Sequence, residues 1–214
     1  KDADHSVLFA GTNEVGVEGE YTEPKPENAN IQTTFNQVFV DTVRKTGGKN
    51  ADRWLVVQAY NTNIGLAAKF NSTMPKDTVP SRLMMEVHYY DPYNFTLNDK
   101  SAIWQWGKNA KDPKAFETWA NEEHVDKEFS LMKRTFVDRG VPVLLGEYCA
   151  APKKNYPGSK KYTLDWTRYV TRSAVRHGLV PMLWDIGLEG GILNRTTGRV
   201  QDRDLLRALM DSAR

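Results

Sequence analysis

Hydrophobic residues along this chain fall into two kinds of run. Five are short and nearly continuous: Ser6–Ala10, Trp54–Ala59, Leu83–Val87, Val141–Leu145 and Leu179–Leu183. Val, Leu and Met dominate them, with little alternation. A strand covered on both faces has no solvent side to make polar, so this pattern predicts the strands of a buried parallel sheet. Between the strands, apolar positions recur at helical spacing. Ile31–Lys45 carries Ile31, Phe35, Val38, Phe39 and Val43, and Gly47-Gly48 ends it. Phe116–Asp138 reads as a long helix closed by Gly140, and Tyr162–Arg176 as a helix followed by Gly178. Asp202–Ser212 carries Leu205, Leu206 and Leu209. A shorter helix fits between the second and third strands. Strands alternating with helices predict right-handed crossovers and an α/β fold. Two architectures accept five such units. One is an open doubly wound sheet, complete at this length. The other is part of a (β/α)8 TIM barrel, which takes ~250 residues and eight units.

The polar positions at the strand ends add the chemistry. In order, the strands finish in Gly11-Thr12-Asn13-Glu14, Tyr60-Asn61-Thr62-Asn63, His88-Tyr89-Tyr90-Asp91-Pro92, Gly146-Glu147-Tyr148 and Trp184-Asp185. Parallel α/β folds build their sites at this edge of the sheet. Glu14 and Glu147 each directly end a hydrophobic strand, where a Glu can cap a helix, pair with an Arg, or do chemistry. Two of them facing one cleft point to glycoside cleavage, which needs one carboxyl protonated and one ionised. Glu86 shares strand parity with His88 and is expected to point the same way, as half of a buried ion pair. Trp104 and Trp106, with Tyr93 and Phe95 nearby, either line outer sugar subsites or pack their loop.

Composition excludes several function classes. The 214 residues include 29 Lys and Arg against 27 Asp and Glu, a net charge of +2, too balanced for a nucleic-acid footprint. No apolar run approaches the ~18–20 residues of a membrane span, and the first residues hold no apolar signal core. Cys149 is the single cysteine, so no internal disulfide forms, and packing is its expected role. No His, Cys, Asp and Glu cluster has metal-ligand spacing and no Gly-rich loop cradles a phosphate, so neither a metal nor a cofactor is predicted. His5, His124 and His177 carry no motif. Asn71-Ser-Thr, Asn94-Phe-Thr and Asn194-Arg-Thr match the glycosylation triplet, which chance also supplies.

Taken together, these motifs resemble glycoside hydrolase family 5, the cellulase family of clan A. Asn13-Glu14 is similar to the Asn-Glu that ends the fourth barrel strand there. His88 and Tyr90 match the His-x-Tyr of the sixth strand, Gly146-Glu147-Tyr148 the nucleophile strand, and Trp184 the Trp of the eighth. The stretch Trp184-Asp185-Ile186-Gly187 through Gly191–Gly198 resembles members acting on cellulose, mixed-linkage β-glucan and xyloglucan, with Ile186 standing where an Asn is usual.

The resemblance implies a (β/α)8 TIM barrel of which residues 1–214 are the C-terminal portion, strands four to eight. The first three units, and the family's strand-two Arg and strand-three His, are then absent. By the same resemblance Glu14 is the general acid and Glu147 the nucleophile of a retaining endo-β-1,4-glucanase. Tyr90 would keep Glu147 ionised, His88 would orient the acid, Asn13 would hold the sugar 2-hydroxyl, and Trp184 would be a stacking floor. The implied partner is a β-glucan, and the implied place is outside the cytoplasm, secreted, periplasmic or at the cell surface. A second polypeptide or a symmetry mate is a candidate to complete the barrel. The alternatives are an inactive barrel fragment, a non-catalytic glucan-binding module and, more distantly, a flavodoxin-like binding module.

Overall fold

The computed structural model describes residues 1–185, Gly187 and residues 191–214. They form two compact units: residues 1–88, 130–145 and 178–180, and residues 89–129, 146–177 and 181–214.

The first unit holds the sheet. β1 (Phe9–Ala10), β2 (Leu55–Gln58), β3 (Leu83–His88), β4 (Val143–Glu147) and β5 (Leu179–Pro181) lie in that order. The last residues of β4 and β5 run into the second unit. β1 pairs parallel with β2, Phe9 opposite Leu55, and β2 with β3, Val57 opposite Met85. A doubly wound sheet reverses its strand order at a switch point, whereas this order never reverses, as a barrel requires. All four residues of β2 are buried, which is why its sequence shows no alternation.

β1 is shorter than Ser6–Ala10. Its N-terminal carbonyls are taken by Arg53, fully buried, which donates to Ala3, Asp4 and Val7 at 2.5–2.6 Å and to Asn50 Oδ1 at 2.7 Å. Arg53 also stacks 4.6 Å over the Phe9 ring. Arg53→Met is therefore expected to cost about 3 kcal/mol, because it strands three carbonyls and one amide at once. Urea unfolding measures this, and Arg53→Lys should recover little, since lysine lacks the planar fork.

α1 (Pro26–Lys45) starts earlier than the apolar pattern suggests, because Pro26 opens it at a position where no N–H is needed. It also turns a different face inward. Ala29, Gln32, Asn36 and Val40 are buried, while Ile31, Phe35 and Val38 are exposed. Of the predicted apolar face, Phe39 packs, and so closely that a Cβ on Gly11 would meet its ring at 2.7 Å. α2 (Ile64–Phe70) is capped by Asn63, which accepts from the Leu66 N–H.

In the second unit, α3 (Tyr93–Thr96) follows the turn after β3. The helix expected over Phe116–Asp138 is α4 (Glu122–Thr135), whose second half belongs to the first unit. Asn121 caps it by accepting the His124 N–H at 3.2 Å, and Glu122 and Glu123 fill its first turn. α5 (Ser159–Arg176) and α6 (Arg203–Ser212) pack together, with Asp202 as the N-cap of α6. Tyr89, Phe129, Tyr148 and Trp166 form an aromatic core; the Tyr89 and Trp166 rings stack at 6.1 Å. A small hairpin, β6 (Leu193–Asn194) with β7 (Arg199–Val200), was not legible as strand. Its turn is an Asn194 side chain accepting from the Thr196 and Thr197 N–H groups.

Candidate active site

Each unit builds a small cluster at strand C-termini. In the first, Glu14 lies four residues beyond β1 with a φ of 50°, a left-handed conformation a glutamate adopts at a cost of roughly 1 kcal/mol. The loop is held by β2's end: the Asn61 N–H donates to the Val15 carbonyl at 2.8 Å, and the Tyr60 hydroxyl accepts the Val17 N–H at 2.6 Å. Glu14 Oε1 thereby sits 2.7 Å from Nδ1 of His88, the last residue of β3. His88 is buried and Glu14 exposed, so one carboxyl reaches solvent against a fixed imidazole. Asn13, beside Glu14, is exposed.

Behind His88 stands Glu86, whose Oε1 is 3.4 Å from His88 Nε2. Its Oε2 accepts from Gln58 Nε2 at 2.7 Å. Glu86 thus points inward with His88 as expected, but the contacts it makes are with a neutral glutamine on β2 and an imidazole on β3 rather than with a fixed cation. Period-two alternation made the shared face legible. Gln58 was missed, because a buried glutamine carries no signal in a hydrophobic run.

In the second unit Tyr90, two residues past His88, donates its hydroxyl to Glu147 Oε2 at 2.7 Å. Glu147 is the last residue of β4, and its carbonyl accepts the Tyr89 N–H at 2.9 Å, which fixes the backbone from which both side chains start. Trp184 is 46% exposed, with its N–H on the Tyr148 carbonyl at 3.1 Å. Asp185 organises the loop after β5: Oδ1 accepts the Gly187 N–H at 2.7 Å, and Oδ2 the N–H groups of Ile192 and Leu193 at 2.7 and 3.1 Å. Burial opposes its ionisation, but these donors outweigh it and hold its carboxyl below the usual range. Ile186, singled out in the sequence, lies outside the described residues.

Trp106 is buried and donates Nε1 to the Ala120 carbonyl at 2.6 Å, and Trp104 stacks on Tyr156 at 5.5 Å. Trp106 and Phe95 are therefore packing residues, whereas Trp104 is half-buried and Tyr93 exposed. His124, without a motif, pairs with Asp91 at 2.9 Å and meets Trp119 edge-on. Burial pushes the Cys149 thiol up to about 11, which suits a packed residue rather than a nucleophile.

A sheet in unbroken sequential order, with paired carboxylate clusters at the C-terminal ends of its strands, defines the α/β-barrel enzyme class. The chain matches the cellulase family, glycosyl hydrolase family 5, over residues 2–190. It is 38% identical to a xyloglucan-specific endo-beta-1,4-glucanase of Bacteroides ovatus, over 98% of this chain and 43% of that protein. It is 35% identical to endoglucanase A of Paenibacillus barcinonensis, over 95% of this chain and 54% of that protein. The solved family 5 xyloglucanase of Paenibacillus pabuli, in complex with ligand, superposes with a TM-score of 0.93 at 32% identity, covering 100% of this chain and 63% of that one. The chain belongs to glycosyl hydrolase family 5. It spans about half the length of the curated relatives it matches. Its fold class is that of the (β/α)8 barrel, with five β/α units.

Proposed function

We propose that this chain is the strand-four to strand-eight part of one catalytic barrel, an endo-β-1,4-glucanase that cleaves internal bonds of a β-glucan by retaining double displacement. The observation that carries the reading is that the two strand-end carboxyls have unlike partners. A phenol O–H donates to Glu147, which is thereby an acceptor, the form a nucleophile needs. Glu14 faces an imidazole nitrogen, which can take a hydrogen bond from a protonated carboxyl.

In the first step a Glu147 oxygen attacks the anomeric carbon. The glycosidic C–O bond breaks, and the leaving oxygen takes the Glu14 proton. In the second, Glu14, now a carboxylate, takes a proton from water as the water oxygen attacks the glycosyl ester and releases Glu147. Asn13 is assigned to the sugar 2-hydroxyl, a contact that tightens as the ring flattens, and the half-exposed Trp184 to stacking on the sugar face. The names of the relatives, endoglucanase and xyloglucan-specific glucanase, support a β-1,4-glucan backbone as substrate. Such polymers lie outside cells, so we assign the working place to the extracellular side; no helix among the described residues is long and apolar enough to cross a membrane.

The test is the anomer first released from a cello-oligosaccharide by the full-length polypeptide, followed by proton NMR before mutarotation. The β-anomer is expected, and the α-anomer would remove the covalent intermediate. On carboxymethyl-cellulose, viscosity should fall faster than reducing ends accumulate. Parallel change, or glucan binding without hydrolysis, overturns the endo reading.

A further inference from the structure

We propose that Glu86 is a positioning residue for the acid carboxyl: it holds the His88 proton on Nε2, so that Nδ1 is the nitrogen that shares a proton with Glu14. The proposal rests on Glu14 being the acid, and its test reads the imidazole directly.

The hydrogen-bond network that fixes Glu86 starts on α1. Asn36 brackets the backbone of Gln58, donating Nδ2 to its carbonyl at 2.8 Å and accepting its N–H on Oδ1 at 3.4 Å. A backbone N–H only donates and a carbonyl only accepts, so the Asn36 amide is fixed in direction. Asn36 Oδ1 is then an acceptor, and Gln32 Nε2 donates to it at 3.0 Å and to Thr12 Oγ1 at 3.1 Å. The Thr12 hydroxyl, having accepted, donates onward to Gln58 Oε1 at 3.1 Å. That leaves the Gln58 amide nitrogen facing Glu86 Oε2 at 2.7 Å. The donors of Gln32, Thr12 and Gln58 thus run in one direction, toward Glu86, which ends the series as an acceptor.

The other carboxylate oxygen of Glu86 lies 3.4 Å from His88 Nε2, an electrostatic contact rather than a formed hydrogen bond. Both ring nitrogens face a carboxyl, but Glu86 is held as an acceptor whereas Glu14, as the acid, brings its own proton, so the neutral ring carries its hydrogen on Nε2 and accepts at Nδ1. Nδ1 is left opposite Glu14 at 2.7 Å. One proton then lies in that bond. Placed on Glu14 it arms the acid; placed on Nδ1 it leaves an imidazolium between two carboxylates. In both placements Nε2 keeps its hydrogen. Were the neutral ring to hold its hydrogen on Nδ1 instead, it would donate to Glu14 and favour the carboxylate, disarming the acid. This also gives the polar face of α1 a purpose: Gln32 and Asn36 are buried to orient a chain of hydrogen bonds that ends at Glu86, beside the imidazole.

The experiment is long-range proton–nitrogen NMR of the ring nitrogens in the full-length polypeptide, with His88 assigned by His88→Gln. His5, His124 and His177 serve as internal controls of folding. The expected wild-type pattern is a hydrogen on Nε2 and an unprotonated or shared Nδ1. In Glu86→Gln, whose side chain offers one acceptor oxygen for both Gln58 and His88, hydrogen population should move to Nδ1 while the control resonances stay. A wild-type Nδ1–H tautomer overturns the proposal and needs no variant to be seen. An unchanged pattern in a folded Glu86→Gln also overturns it. In the full-length enzyme Glu86→Gln should lower kcat on a glucan on the order of tenfold or more with little change in KM. The deficit should shrink on an aryl glycoside whose leaving group needs no proton. An equal deficit on both substrates overturns the proposal, since it marks structural damage. If the tautomer is as stated but Glu14→Gln leaves activity intact, it is the assignment of Glu14 as acid that fails.

Discussion

Glu147→Gln is expected to abolish hydrolysis of every substrate, by at least about 10⁴-fold in kcat, because an amide cannot form the glycosyl ester and no second nucleophile replaces it. The substitution keeps size and the Tyr90 contact, so circular dichroism and the thermal midpoint should stay near wild type. Glu14→Gln should behave differently. On a glucan the leaving alkoxide needs a proton, and activity should fall about 10²–10⁴-fold. On an activated aryl glycoside the first step needs no proton, so the intermediate forms and waits for a base. Added azide should then restore turnover and yield a β-glycosyl azide, because two inversions retain configuration. An α-azide would exchange the two roles. Rescue of Glu147→Gln as the β-azide would do the same. Both variants belong in the full-length polypeptide, where activity and its loss are both measurable.

The second large effect is on stability. Arg44, in the last turn of α1, donates Nε and Nη2 to the two Asp77 oxygens at 2.9 and 2.7 Å, and Nη1 to the carbonyls of Asn50 and Arg53 at 2.8 Å. The Arg44 and Asp77 side chains are 7% and 6% exposed. Asp77→Asn leaves a guanidinium buried with nothing to balance it, at a cost of about 3–5 kcal/mol. The thermal midpoint should drop on the order of 10 °C for a chain of this size. Arg44→Met with Asp77→Leu should recover part of the loss, since no charge is then left in the interior. The pH dependence follows from the carboxyl. Burial alone would raise its pKa, but Arg44 outweighs burial and holds it below the ordinary value. The pair therefore contributes fully above about pH 4, the unfolded value, and its contribution is lost as pH falls through the lower folded value. Asp77→Asn should flatten that part of the acid limb, as urea midpoints at pH 7 and pH 3 would show.

Arg44 and Asp77 illustrate what local pattern does not carry. They are 33 positions apart, and each alone reads as a solvated charge. Arg53 is similar: a lone cation before a strand, it is spent on the carbonyls of a segment nearly fifty residues away. The helix over Phe116–Asp138 began late because its cap, Asn121, and its acidic first turn outweighed the aromatic spacing upstream. α1 was misread in its orientation, because apolar periodicity says which face is greasy and not which face the sheet will meet.

Five strands, and the polar residues that follow them, were determined by the sequence itself, while their unreversed order in the sheet came from the fold. A strand buried on both faces cannot hide its hydrophobicity, and a strand's end is marked where that hydrophobicity stops. Glu14, His88, Tyr90, Glu147 and Trp184 were legible for the same reason: each interrupts a run at its C-terminal edge. Only the tertiary structure decided which of them touch, that Glu14 meets His88 and Tyr90 meets Glu147. It alone brought Gln32, Asn36, Thr12 and Gln58 to Glu86, so that a polar helix face goes inward while Ile31, Phe35 and Val38 stay outside. The physical reason is one of range. Burial acts on each residue separately and leaves a pattern in sequence. A hydrogen bond between side chains depends on ångström distances between residues far apart in the chain, and only the folded backbone sets those.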